Sequence, residues 1–396
     1  MNIGSLIGRQ DTLFAGDVEP NEAALRDTIQ GARVLVLGGA GSIGKEVCAE
    51  IFRRTPAVLH VMDISENNLV ELVRNLRSSL GYTGGETRFL PLDMGSLEAA
   101  AFFDNQAPYD YVLNLAALKH VRSEKDEFSL MRMIKVNILD THQTLRRAQA
   151  GKARKYFAVS TDKAKNPANL MGATKRIMED VLFRDENGTP VSTARFANVA
   201  FSDGSLLHGF RQRLMLRQPI AAPRDVRRYF MTGPESGILC LSALALGKGH
   251  EIFFPKLDPD TQLITFAEVA TRFLAANGYE AVALPSEAEA RERVEELAAR
   301  RQWACYFSDS DTAGEKPFEE FYSAEDSVAW DRFSDMGVIR VPPLGDGRQR
   351  LADFLVRVDA LRAKGQWRKP ELVEAIQAAC PDLSHADAQR FLDEKM

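Results

Sequence analysis

The chain has 396 residues, 45% hydrophobic and 27% charged, a globular composition with room for one large domain or two moderate ones. A net charge of −5 with a pI near 5.8 provides no basic stripe for nucleic acid, and leaves a small anionic ligand in a local basic pocket open. Four scattered cysteines (Cys48, Cys240, Cys305, Cys380) lack zinc or disulfide spacing, no window nears the roughly 20 apolar residues of a membrane span, and no signal-peptide pattern opens the chain. These features predict a metal-free cytoplasmic protein with no membrane span.

Residues 1–30 read as a lead-in with a helix from Asn21, its cap, through Ile29. Its apolar Leu13, Phe14, Leu25 and Ile29 fit docking on the body or on another subunit. Arg33 to Leu37 is a compact apolar run entering Gly38-Gly39-Ala40-Gly41-Ser42-Ile43-Gly44, and Ile43, Val47 and Ile51 then recur at helical spacing. Strand, glycine turn and helix in that order bring backbone and a helix N-terminus to a pyrophosphate. Gly38, Gly41, Ser42, Ile43 and Gly44 are therefore cofactor candidates.

Val58 to Met62 is a second strand, ending nineteen positions past Gly44 in Asp63, which can accept hydrogen bonds from a ribose diol and repel a 2′-phosphate. With no arginine between Ile64 and Asn68, NAD is favoured over NADP. The competing reading of Asp63 is a cap ahead of Ser65, itself in the cofactor set. Arg88 to Leu92 gives a third strand, with Asp93 and Met94 at the adenine edge. Tyr111 to Leu115 gives a fourth, followed by Ala116-Ala117-Leu118-Lys119-His120-Val121, where the small Ala116 and Ala117 let backbone meet a flat cofactor. His120 has no partner at metal spacing and reads as polar lining. Asn137, a buried amide, is expected to bond a backbone kink beside the site or to be satisfied within the core.

The run Tyr156 to Val159 delivers Ser160-Thr161-Asp162-Lys163-Ala164, with Met171 and Lys175 shortly after. A hydroxyl, a carboxylate and amines thus meet at the carboxyl edge of a sheet, where open α/β folds bind ligands; a capped turn with solvated lysines is the alternative. Strands alternating with helices to about residue 200 specify an α/β fold with a doubly wound parallel sheet. Beyond it, arginines 211, 213, 217, 227 and 228 suit a diphosphate, although any one could be a solvated face. Glu251 to Phe254 reads as a strand. Helices are predicted over 265–276, with the capping box Thr265-x-x-Glu268 and a Gly278 stop, and over 286–301. Phe307 to Lys316 reads as a loop, and Lys369 to Met396 as two short helices broken at Pro381 with Ser384 as a cap. The predicted division is 1–30 lead-in, 31–200 cofactor domain, 201–363 smaller mixed α/β substrate-binding lobe and 364–396 helical C-terminal extension.

Six ordered motifs resemble the extended short-chain dehydrogenase/reductase superfamily, specifically the bacterial nucleotide-sugar 4,6-dehydratases: Gly39 to Gly44, Ala116 to Val121, Ser160 to Ala164, Met171 to Arg176, Ala194 to Val199 and Arg228 to Met231. The resemblance implies a Rossmann domain, NAD, no metal, and dehydration of UDP-N-acetylglucosamine to its 4-keto-6-deoxy product by a homo-oligomer, a dimer or higher. By resemblance Asp162 is the acid, Lys163 the base, Thr161 a partner of the C4 oxygen and Lys175 an anchor for the nicotinamide ribose. Asn198, Arg213 and Arg228 face the nucleotide-sugar, and Lys119, His120 and Ser205 complete that set. Met171 departs from the pattern: most such enzymes place there a tyrosine that takes the C4 hydroxyl proton, which a thioether cannot do. A methionine-bearing branch of these dehydratases tends to retain configuration at C5, so retention is expected. A 4-epimerase and a non-catalytic NAD-sensing regulator are the rival readings.

Overall fold

The computed structural model describes residues 2–82, 84–184, 188–310 and 320–384. The short apolar runs form strands because a parallel sheet is covered on both faces by its crossover helices, so a strand without polar alternation fits nowhere else. β1 (Arg33–Leu37), β2 (Val58–Asp63), β3 (Glu86–Pro91), β4 (Tyr111–Asn114), β5 (Lys155–Val159) and β6 (Val191–Ala194) lie parallel in the order 3-2-1-4-5-6. Strand order therefore reverses between β1 and β4, where a doubly wound sheet opens a crevice at its carboxyl ends.

The same sheet continues past β6 with Glu251–Pro255, which is parallel to it, and then with Met336–Arg340 and Ser327–Ala329, each antiparallel to its neighbour. The stretch 201–363 is thus divided among the main sheet, a second core and a third core. A second core surrounds the parallel strands Ile220–Pro223, Gln302–Ser308 and Glu280–Ala283, and buries Phe210, Phe273 and Trp303. Phe307 and Ser308 end a strand rather than open a loop, because they pair with Ala222 and Pro223. Thr265 with Glu268 forms the expected capping box, and Ser286 caps the helix Glu287–Ala299.

After the short helix Ile3–Leu6 comes the helix Ala15–Ile29, seven residues longer at its start than the Asn21 cap predicted. Its beginning is set by tertiary burial: Phe14, Leu25 and Ile29 enter the main core, and the buried Asp17 carboxylate accepts backbone N–H bonds from Ser334, Asp335 and Met336. Asn21 lies inside the helix and donates to the Asp17 carbonyl. A third core forms where the helices Gly347–Lys364 and Lys369–Ala379 cover Glu127–Ile134 and Leu170–Phe183, with Leu130, Ile177, Phe354 and Leu372 at its centre. The second tail helix expected after Ser384, and residues 311–316 of the expected loop, lie outside the described residues. Among the described residues no helix is long and apolar enough to cross a membrane.

Candidate active site

β1 turns at Gly38, whose φ of 72° is left-handed and whose Cβ, if present, would lie 2.4 Å from the Ala116 nitrogen. Only glycine permits that approach of the first strand's turn to the loop after β4. At Gly44 a Cβ would stand 2.3 Å from the Gly38 carbonyl oxygen, which lets the helix Ser42–Arg53 start tight against the turn. Gly41 differs, since a Cβ there would meet nothing closer than 3.7 Å. Both Gly38 and Gly41 line a cleft with about 660 Å³ of empty space, and Asp63, Asp93, Met94, Ala116 and Ala117 line it with them. Ile64 and Arg132 line it too, and sequence reasoning missed both. Arg132 follows no motif, while Ile64 is 64% exposed, an apolar side chain left in water at the mouth of the cleft.

Asp63 is tied to backbone on both sides. Its Oδ2 accepts from the Ala40 N–H at 3.0 Å, which pins the glycine turn, and its Oδ1 accepts from the Ser65 N–H at 2.9 Å. A carboxylate has about four lone-pair sites, so acceptor capacity remains for a diol. Ser65 itself caps Glu66–Leu80 through the Asn68 N–H and does not line the cleft.

β4 and β5 are neighbours, with Asn114 opposite Ala158, so the loop after Leu115 and the turn after Val159 leave adjacent strand ends. Asn137 links the two sides. It sits in a π-helical segment, Lys135–Leu139; its Oδ1 accepts from the Leu118 N–H, and its Nδ2 donates to the Leu118 carbonyl and to Thr174 Oγ1. The buried amide is therefore satisfied by irregular backbone beside the cleft, where π-bulges often lie.

At the turn, Thr161 caps the short helix Asp162–Ala164. Asp162 is 4% exposed, and its Oδ1 accepts from Thr161 Oγ1 at 2.7 Å, from the Lys163 N–H at 2.9 Å and from Lys163 Nζ at 3.2 Å. Behind the turn Ser160 donates to Glu179, which forms a two-pronged ion pair with Arg195, and Arg195 in turn donates to the Phe321 carbonyl. Burial raises the Glu179 carboxyl, but Arg195, Arg176 and the Ser160 hydroxyl together outweigh that and hold it below its usual range. This buried pair also escaped the sequence reading; its signal was a glutamate inside the otherwise apolar run Ile177 to Phe183.

The helix Leu170–Phe183, capped by Asn169, carries Met171 and Lys175, both 3% exposed. The Met171 N–H donates to Glu124 Oε1 at 2.7 Å. Burial raises the Glu124 carboxyl, although the N–H groups of Met171 and Leu170 pull it down. Lys175 Nζ donates to the Val159 carbonyl at 2.7 Å; burial lowers the amine to about 8, with the Glu179 carboxylate opposing. None of Thr161, Asp162, Lys163, Met171 or Lys175 lines the cleft itself.

On the substrate side, Lys119 and His120 are exposed, and the His120 imidazole lies against Gly204, where a Cβ would meet it at 2.8 Å. Ser42 is bonded to Asp203 in that same 201–205 loop, and Ser205 caps Leu206–Met215. Ser42, His120, Asp203 and Ser205 thus gather at one loop. Asn198 Nδ2 donates to the Tyr229 carbonyl at 3.4 Å, and Arg228, 4% exposed, donates to the Arg227 carbonyl. Arg213 is half-buried, with Glu287 as the carboxylate acting on it. Arg211 stacks over Phe201 at 4.3 Å, while Arg217 pairs with the exposed Glu295, the solvated-face reading weighed for it.

A doubly wound sheet, a glycine turn close against the loop after β4, and a Thr-Asp-Lys turn at the end of β5 define an extended short-chain dehydrogenase/reductase. The chain belongs to the family described as polysaccharide biosynthesis protein, whose profile matches residues 34–340. It is similar to the capsular polysaccharide biosynthesis protein CapD of Staphylococcus aureus, 31% identical over 65% of this chain and 43% of CapD, so it spans less than half of that relative's length. It is also similar to a UDP-N-acetylglucosamine 4,6-dehydratase (inverting) of Campylobacter jejuni, 31% identical over 57% of this chain and 67% of the relative; UDP-glucose 4-epimerases are relatives as well. Among solved structures, Pen from Bacillus thuringiensis shares the fold, with a TM-score of 0.63 at 24% identity over 79% of this chain and 89% of Pen.

Proposed function

We propose that the chain is an NAD-dependent nucleotide-sugar 4,6-dehydratase that converts UDP-N-acetylglucosamine to UDP-2-acetamido-2,6-dideoxy-4-keto-hexose, with retention at C5, for bacterial glycan synthesis. The observation that carries the reading is the Thr161-Asp162-Lys163 turn, where hydroxyl, carboxylate and amine share contacts of 2.7 Å and 3.2 Å at the strand end next to the loop that walls the cleft. The glycine turn and Asp63 would hold the cofactor, with NAD favoured over NADP because Asp63 disfavours a 2′-phosphate. When bound, NAD supplies a site that takes hydride from C4 and returns it to C6.

The chain's own residues then move protons. Met171 cannot accept the C4 hydroxyl proton, so it passes to the Thr161 hydroxyl, whose own proton goes to Asp162 along their hydrogen bond. The base role requires the neutral form of Lys163, whose amine would then remove the C5 proton that the C4 ketone has acidified. Asp162 then gives its proton to the C6 oxygen, which leaves as water, and Lys163 returns its proton to C5. One lysine working on one face gives retention.

Incubating the chain with UDP-N-acetylglucosamine and NAD should yield a product lighter by one water, with the C5 configuration retained when the product is assigned by NMR in deuterated water. An unchanged mass with an altered C4 would establish the epimerase reading, and NAD binding without turnover the sensor. Inverted C5 would reject Lys163 as the residue that returns the proton.

A further inference from the structure

A side-chain carboxylate already stands at the point where a dinucleotide's diphosphate would approach the glycine turn. Asp203 Oδ2 accepts from the Ser42 hydroxyl at 2.8 Å, and the Asp203 N–H donates back to the same oxygen at 2.8 Å. Ser42 is the first residue of the 12-residue helix Ser42–Arg53, whose cap, Gly41, supplies no side-chain bond. The opening N–H groups of such a helix lack partners within it, and the helix dipole adds positive potential there. Phosphate is drawn to helix starts for this reason, and Asp203 holds its carboxylate on the hydroxyl of the helix's first residue.

The 201–205 loop is held in place from several sides. Phe201, at a φ of 58°, packs into the second core under the Arg211 guanidinium. Gly204, at a φ of 71°, fits against the His120 imidazole, and Ser205 caps the next helix. Asp203 itself is 59% exposed and 4.0 Å from His208 Nδ1. Desolvation by its surroundings lowers the exposed Lys119 amine, and the Asp203 carboxylate opposes that shift, which marks the two as electrostatic neighbours.

We propose that Asp203 sets the affinity for the cofactor, as an internal anion that competes with the diphosphate for the Ser42 hydroxyl and the start of the Ser42–Arg53 helix. The proposal rests on the dinucleotide reading of the cleft. Two negative groups at one helix start repel, so cofactor entry moves Asp203 off Ser42. The loop runs on through Ser205 into the helix bearing Arg213, so this movement reaches the substrate side before any sugar arrives.

Asp203→Asn removes the charge while keeping a side chain of the same size that can still bond Ser42, and Asp203→Ser serves as a second variant should the first fold poorly. NAD, ADP-ribose and adenosine are each titrated into the full-length wild type and variant by calorimetry. The variant should bind NAD and ADP-ribose about tenfold more tightly, adenosine equally well, and its advantage should shrink as salt is raised. NAD bound equally or more weakly by the variant overturns the proposal. So does an equal gain for adenosine, which would trace the effect to loop packing rather than to charge. If neither protein binds NAD or ADP-ribose, the cofactor reading falls and the proposal with it; equal binding by both sinks the proposal alone.

Discussion

Lys175 holds its amine almost wholly out of water, with the Val159 carbonyl as its acceptor, and burial lowers it from 10.5 to about 8. The unfolded chain keeps the ordinary value, so between about 8 and 10.5 the unfolded state binds a proton that the folded state lacks. Stability must therefore rise with pH across that window, by up to roughly 3 kcal/mol from this residue. Lys175→Met has no such group. Urea unfolding of both proteins should show wild type gaining on the variant as pH climbs through the window, and a constant gap would mean that the amine is solvated. At Lys163 the expectation is chemical: Lys163→Ala should lose at least about a hundredfold in dehydration rate, the scale of a missing general base, while NAD binding, measured by calorimetry, is unchanged. Turnover surviving that substitution would remove Lys163 from the mechanism.

Between residues and fold stands the loop after β4, a short element whose shape is imposed by a side chain from another. Asn137 satisfies both the N–H and the carbonyl of Leu118 and reaches Thr174 on the helix that carries Met171 and Lys175. Asn137→Ala would strand two buried backbone groups, at a cost of roughly 2–4 kcal/mol, and would loosen the wall of the cleft. The expected result is a lower denaturant midpoint together with weaker NAD binding; a loss of stability with binding intact would separate the loop from the site.

What could be read in advance follows the range of the forces involved. The strands to β5, the glycine turn, the Thr265 and Ser286 caps and the burial of Asn137 rest on patterns within a few residues, and each is visible in the chain. The start of Ala15–Ile29 is set by Asp17 meeting residues 334–336, and the joining of Glu251–Pro255 and Met336–Arg340 to the main sheet by pairings across the molecule. No local pattern reports those. The same holds within the site: Asp203 and Glu124 occupy loop and turn positions of unremarkable spacing, and their roles appear only when Ser42 and the Met171 N–H come within reach.

Over the whole molecule, the third core makes the C-terminal helices part of the platform under the Thr161–Lys163 turn, because Leu170–Phe183 packs on β6 on one side and on Gly347–Lys364 and Lys369–Ala379 on another. Asp180 lies at that seam with its side chain 17% exposed. Burial pushes its carboxyl up to about 6; Arg176 and Arg350 pull it down, and Glu179 and Asp382 push it further up. Here the folded state binds the extra proton, so the contribution of Asp180 to stability is complete below the ordinary value of 3.8 and is lost as pH rises through about 6. The full swing is roughly 3 kcal/mol. Asp180→Asn is neutral at every pH and escapes the penalty, so it should unfold at a higher temperature than wild type above pH 6 and lose that advantage on acidification. A variant less stable than wild type near neutral pH, with a deficit that fades on acidification, would show that the ion pair with Arg176 on the same helix, at 3.5 Å, outweighs the burial of the charge.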